Sequence, residues 1–153
     1  MKIFQFIFLA SVFTSVGCSS SKTTDLNPAA PKLSAALTGI YWKLTELNGE
    51  SVADAKGSGR REIFMLLDED GRVSGNGGCN GFGGTFKTSG DGFRLTFSQL
   101  IGTQMACPDM SLESRLFKVL EATDSYYVNH NELQLIRARM APLAKFIAIP
   151  DKK

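Results

Sequence analysis

The sequence predicts an α+β domain: a strongly curved, barrel-like antiparallel sheet of seven to eight short strands with one amphipathic helix. Three observations lead there. Short runs of aromatic and branched residues recur between turn signals such as Asn48-Gly49, Asp70-Gly71 and Ser-Gly-Asp-Gly at 89–92. Only residues 112–122 carry a clear helical period. The 11 phenylalanines of the 153-residue chain give such a sheet ample bulk to bury.

The chain begins with a segment of another kind. Lys2 supplies a positive start, and residues 3–16 are mostly apolar, broken by Gln5, Ser11, Thr14 and Ser15. That is the length of a secretory signal and too short to span a bilayer. Small residues then precede a cysteine in Ser15-Val16-Gly17-Cys18. This resembles the lipobox of bacterial lipoproteins, in which the cysteine is lipidated with palmitate-type chains and becomes the first mature residue. Ser15 stands where that motif usually carries Leu. The competing reading is an ordinary signal peptide cleaved near Gly17. Several acyl chains on Cys18 would hold a membrane better than one. Ser19 replaces the Asp that often marks inner-membrane retention, so the expected location is the outer membrane, facing the periplasm.

Residues 18–37 then read as a lipidated cysteine and a disordered tether, with serines at 19–21, two prolines and no hydrophobic period. A coil of that length spans on the order of 25 Å. Residues 38–153 suit one domain. The formal net charge of the chain is +2, and removing Lys2 with the signal leaves 16 basic against 15 acidic residues. So even a balance gives no case for nucleic acid as a partner.

Within the domain, residues 40–47 read as a strand that breaks at Asn48-Gly49, a strong hairpin signal, and 50–59 as a polar loop. Residues 62–67 form a second strand. Asp70-Gly71 turns it into the segment 72–86, which holds six of the chain's 15 glycines and lies between strands. Phe93, Leu95 and Phe97 alternate with Arg94, Thr96 and Ser98, the period of a half-buried strand. In the helix, Leu112, Leu116, Phe117, Val119 and Leu120 share a stripe, with Asp109 or Ser111 available as cap. Residues 126–129, 132–137 and 143–149 close the sheet, the first two linked by Asn129-His130-Asn131.

Three stretches carry a family likeness. Trp42-Lys43-Leu44 leads to Leu47-Asn48-Gly49; Ser74-Gly75-Asn76-Gly77-Gly78-Cys79-Asn80-Gly81-Phe82-Gly83-Gly84 follows; Thr103-Gln104-Met105-Ala106-Cys107 comes third. Together they resemble the META domain, the HslJ-like family, over nearly all of residues 40–149. Gly81 departs from the pattern, since many members carry a larger polar residue there. The resemblance implies export or lipid anchoring, links to heat or envelope stress and drug tolerance, and no established catalytic activity. Its barrel-like fold also resembles that of small outer-membrane pilot lipoproteins.

Cys79 and Cys107 form an even pair once Cys18 is lipidated, in an oxidising compartment. A structural disulfide is the favoured reading, buried free thiols the second and a redox or nucleophilic thiol the third. His130, the only histidine, falls in a turn; one histidine and two cysteines are too few for a metal site. The glycine run invites a phosphate-cradle reading, but no Gly-Lys-Ser/Thr follows and no helix opens there. Gly75, Gly78, Asn80, Gly84, Thr103 and Met105 are read as positions that shape this loop, with a binding surface at one barrel end as the functional alternative. No catalytic residue, metal or cofactor is expected. The leading function is therefore a non-enzymatic envelope lipoprotein that binds a partner protein. The alternatives are a carrier or sensor of an apolar ligand such as an acyl chain in the barrel core, a pilot-like assembly factor and, last, a thiol enzyme.

Overall fold

The structure, a computed structural model, describes residues 37–52, 59–150 and 152. The expected signal peptide (1–17), Cys18 and the tether up to residue 36 lie outside the described residues, as do residues 53–58 of the polar loop. In chain order the elements are β1 (Tyr41–Leu47), β2 (Glu50–Ser51), β3 (Phe64–Leu67), β4 (Arg72–Asn76) and β5 (Gly81–Thr88). There follow β6 (Leu95–Gly102), α1 (Ser111–Ala122), β7 (Ser125–Asn129), β8 (Glu132–Ile136) and β9 (Ala144–Ile149).

Eight strands form one antiparallel path, β6-β5-β4-β3-β1-β9-β8-β7, and the two-residue β2 folds back on β1. Although β6 and β7 end that path, Arg94 bridges Ser125 between them, and Tyr126 N–H donates to the Phe93 carbonyl at 2.9 Å. A sheet whose two ends meet at a corner is a curled half-barrel. The α+β class read from the sequence is the class observed. Asn48 and Gly49 have φ of 51° and 81°, the paired left-handed turn that matches strand twist and explains the Asn-Gly signal.

Helix α1 packs into the concave side. Leu116, Val119 and Leu120 join the sheet's core cluster, and the Phe117 ring meets Phe82 edge-on at 5.5 Å. Trp42, Leu47, Met65, Leu95, Leu133 and Phe146 are each fully buried around the barrel axis. Alternation along the strands sends these inward and leaves their neighbours on the outer face.

Four details differ from the sequence reading. Leu37, expected to end the tether, is buried in the core and its carbonyl accepts the Trp42 Nε1–H at 2.9 Å, so the domain starts one residue earlier. Phe93 is 66% exposed rather than inward, because the strand proper begins at Leu95 and Phe93 belongs to the corner with β7. The glycine-rich segment does not lie between strands but makes two of them, β4 and β5, with only residues 77–80 as the turn. The period-two pattern of β6 also breaks. Thr85 pairs with Ser98 and Gly83 with Ile101, so Gln99 and Leu100 together oppose Gly84, and Gln99 takes a φ of 54°. This bulge turns Leu100 onto the core and Ile101 outward.

Close packing explains one glycine of the strands directly. A Cβ on Gly75 would lie 2.2 Å from the Phe64 carbonyl oxygen and 2.6 Å from the Phe82 ring. Backbone on one side and a core aromatic on the other leave nothing that yields. Gly75→Ala should cost about 3 kcal/mol of stability, measured by urea denaturation; an unchanged midpoint would refute this account of the crossing.

Candidate functional site

The β4–β5 turn is built around two side chains, Asn80 and Glu113. Asn80 is 1% exposed and uses its whole amide. Its Oδ1 accepts the Thr103 hydroxyl at 2.9 Å and the Met105 N–H at 2.7 Å. Its Nδ2 donates to Glu113 Oε1 at 2.9 Å and to the Met105 carbonyl at 3.3 Å. Glu113 lies in the first turn of α1 yet is buried, and its Oε2 accepts the backbone N–H of Asn80 at 2.7 Å and of Cys79 at 3.3 Å. The helix N-terminus beside it favours a carboxylate there. Neither Asp109 nor Ser111 takes the cap position expected of it: Met110 is the N-cap, without a side-chain cap bond, while Asp109 Oδ1 accepts the Ser111 N–H at 2.9 Å from the residue before it.

Cys79 and Cys107 are joined as a disulfide, their Cα atoms 6.2 Å apart and 28 residues apart in sequence. Closing a loop of that size stabilises the fold by about 3–4 kcal/mol in the chain-entropy description. The bridge and Asn80 thus fix one strap, residues 103–110, at Thr103, Met105 and Cys107, with Glu113 orienting Asn80. The strap itself is mostly exposed; Met105 offers its backbone to Asn80 while its side chain stays 44% exposed.

Of the expected motif residues, Gly78, Asn80, Thr103 and Met105 meet at this junction. Gly78 has φ of 109° and sits against the Arg60 stem. Gly75 and Gly84 instead serve strand packing, Gly84 under the Leu100 side chain. The phosphate-cradle reading finds no donors in the turn. Gly77 N–H bonds the Asn80 carbonyl, Gly78 N–H bonds Asn76 Oδ1, and the next two N–H groups bond Glu113. With both sulfurs in the bridge, the pair holds no thiolate nucleophile, and His130 Nδ1 is occupied by Asn129 Oδ1 at 2.6 Å in the β7–β8 turn. Among the described residues, no group of three or more His, Cys, Asp or Glu side chains is placed to hold a metal. Also among them, no helix is long and apolar enough to cross a membrane.

Glu113 was not read as a site residue from the sequence, where the carboxylates look scattered. The signal was its register, three residues before Leu116 and seven before Leu120, on the buried stripe. Just before β3, next to Arg61 whose N–H bonds the Gly78 carbonyl of the turn, a second charged cluster is structural. Glu62 accepts Lys152 Nζ at 2.6 Å and the Tyr41 hydroxyl at 2.8 Å, and Lys152 above all holds its carboxyl below the usual range. Burial, then Glu62, raises the Tyr41 hydroxyl.

Beside the turn, on the outer face of the sheet, lies an open groove of about 510 Å³ floored by Gly81 and Gly83. Phe64 and Leu66 line one part of it, Ile101 and Thr103 another.

A curled antiparallel sheet closed by one helix, with a disulfide-bridged strap at the turn after β4, defines the class of domain. Residues 35–148 match the META domain, and the chain belongs to that family. No curated protein matches it. Among solved structures it is similar to a protein from Burkholderia xenovorans determined by NMR, at 22% identity and TM-score 0.60, over 91% of this chain and 99% of that one. A second NMR structure is 24% identical with TM-score 0.54, covering 71% of this chain and 87% of the other. A DUF4847 family protein from Bacteroides vulgatus ATCC 8482 is 14% identical with TM-score 0.51, over 78% and 98%. These likenesses concern the fold.

Replacing Glu113 by Ala strands two backbone N–H groups and one side-chain amide. A loss of about 2–4 kcal/mol is expected by thermal or chemical denaturation. Amide exchange at Cys79 and Asn80 should accelerate more than exchange in β8; a uniform change would argue against a local role.

Proposed function

We propose that this META domain is exported, anchored to the outer membrane through a lipidated Cys18, and acts without catalysis by binding another envelope protein. In keeping with the HslJ-like likeness, the binding serves the response to heat or envelope stress and drug tolerance. One observation carries the reading. A buried carboxylate, a fully bonded buried amide and a disulfide are all committed to holding a strap that itself lies in water. Glu113 answers the backbone N–H groups of the turn, and the bonds that Asn80 then makes to Thr103 and Met105 fix a segment lying outside the core. Ordered, exposed loops on rigid scaffolds are where binding residues concentrate.

Placement supports it. The Gly39 N–H bonds the Leu67 carbonyl at one end of β3, while Phe64 at the other end pairs with Asn76 beside the turn. Chain entry and strap are therefore separated by the length of β3, about 10 Å. A domain tethered through residues 18–36 would turn the strap away from its anchor. The acyl-carrier reading is less favoured, because the axis such a ligand would occupy is filled by Trp42, Met65 and Phe146.

Two measurements test this. Intact mass of the chain from its native membranes should show acyl chains on Cys18 and a gain of two hydrogens on reduction; an unmodified N-terminus would remove the anchor. A photo-crosslinking residue at Met105 should trap one discrete envelope protein in cells, and the same residue at Lys87 should not. Identical labelling from both positions, or none from Met105, would refute the strap as a binding surface.

A further inference from the structure

We infer that the outer face of β3 to β6 is a docking groove for a neutral, extended segment of a partner protein presenting an aromatic or large aliphatic side chain. The inference rests on the protein-binding reading above for the kind of occupant, though not on the anchor or the strap.

Gly81 and Gly83 are its first support. Both point outward from β5, on either side of the inward Phe82. Neither has the left-handed φ that favours glycine. A Cβ at Gly81 would meet nothing closer than the Gly75 carbonyl oxygen at 3.7 Å, and one at Gly83 the Val73 carbonyl oxygen at 3.7 Å, both ordinary contacts. Gly75, Gly77 and Gly84 differ, since a Cβ there would come within 3.0 Å of neighbouring atoms. Glycine inside a strand is unfavourable and often marks close approach by another molecule. At positions 81 and 83 the fold supplies no reason for it, so a bare floor remains to be explained.

The β6 bulge is the second, independent support. Had β6 kept its alternation, Leu95, Phe97, Gln99 and Ile101 would share the inner face. Instead Gln99 adopts a φ of 54°, unfavourable for a residue with a side chain, and Ile101 emerges 73% exposed beside Gly83, its cross-strand partner. Bulges of this kind re-aim side chains next to binding sites. Across β4 and β5, Phe64 and Leu66 face the same way from β3, leaving a trough about 10 Å wide between the walls.

The chemistry of the lining selects the occupant. None of the lining residues is ionisable, and the charges beside the Phe64 wall, Glu62 with Lys43 and Lys152, are paired with one another, so the groove itself offers a charged segment no counter-charge. The volume of about 510 Å³ is that of a ligand site, but the trough is open to solvent rather than enclosed. An acyl chain in it would keep one flank in water. An extended peptide would place its side chain on the glycine floor and turn its polar backbone to solvent.

The test is a titration of the labelled domain, residues 37–153, which contains the whole described sheet, helix and core. The probes are end-blocked, neutral hexapeptides with a central Trp, Leu or Ser. The Trp and Leu peptides are expected to shift the backbone amides of Ser74, Gly81, Gly83 and Ile101 saturably, and the Ser peptide is not. Gly83→Val should weaken binding at least tenfold while raising Tm by about 2–6 °C. Ile101→Ser should weaken it about tenfold with Tm unchanged. Any of four results overturns the inference: no peptide response at these amides, a lowered Tm for Gly83→Val, full binding by Ile101→Ser, or shifts from phosphatidylglycerol vesicles with none from peptides. A crosslink at Met105 without a peptide response would leave the strap reading standing and remove the groove.

Discussion

The Glu113 carboxylate ties helix to sheet, and most of the barrel's distal end depends on it. Its two oxygens receive the backbone of Cys79 and Asn80 and the Asn80 side chain. Asn80, thus oriented, has its oxygen free to hold Thr103 and Met105. The Glu113 stem also requires glycine at position 77, because a Cβ there would fall 2.7 Å from it. Glycine, carboxylate and amide are one unit. A buried polar network in which every partner is satisfied rigidifies its surroundings, whereas a partly satisfied one destabilises; here all the buried side-chain nitrogen and oxygen atoms among the described residues are bonded.

Much of the fold was legible because its signals are local. Asn48-Gly49 named its turn type, the period of α1 named its buried stripe, and the last three strands lie within a residue or two of where patterning puts them. The failures arise where the deciding contact or backbone angle is one that residue patterning does not carry. Phe93 alternates correctly with Leu95 and Phe97 but is pulled to the corner by Tyr126, 33 positions on. Leu37 resembles tether until Trp42 donates to it. The bulge at Gln99 has no glycine to announce it, since the left-handed residue carries a full side chain.

The site was partly legible in the same sense. Reading glycines and the Cys–Asn pair as turn-shaping residues placed Gly78, Asn80, Thr103 and Met105 together, as the structure does. Searching the carboxylates for a catalytic pair overlooked Glu113, because its chemistry is with backbone donors rather than with a second acid. A single acid on an otherwise apolar helical stripe is the mark of such a group, since burying it requires donors to meet it.

The glycines make a sharper instrument once the backbone is known. Six fall in one segment of 15 residues, and the sequence treats them alike. In space they separate. Gly75, Gly77 and Gly84 answer to neighbours that a methyl would strike, and Gly78 answers to its φ. Gly81 and Gly83 answer to neither, and they alone share the outer face with an isoleucine that a bulge has turned into water. Selection for stability would favour side chains at both places, because strand residues with Cβ atoms are preferred and there is room. A binding partner would answer that preference, and the groove these two glycines floor is where it would dock.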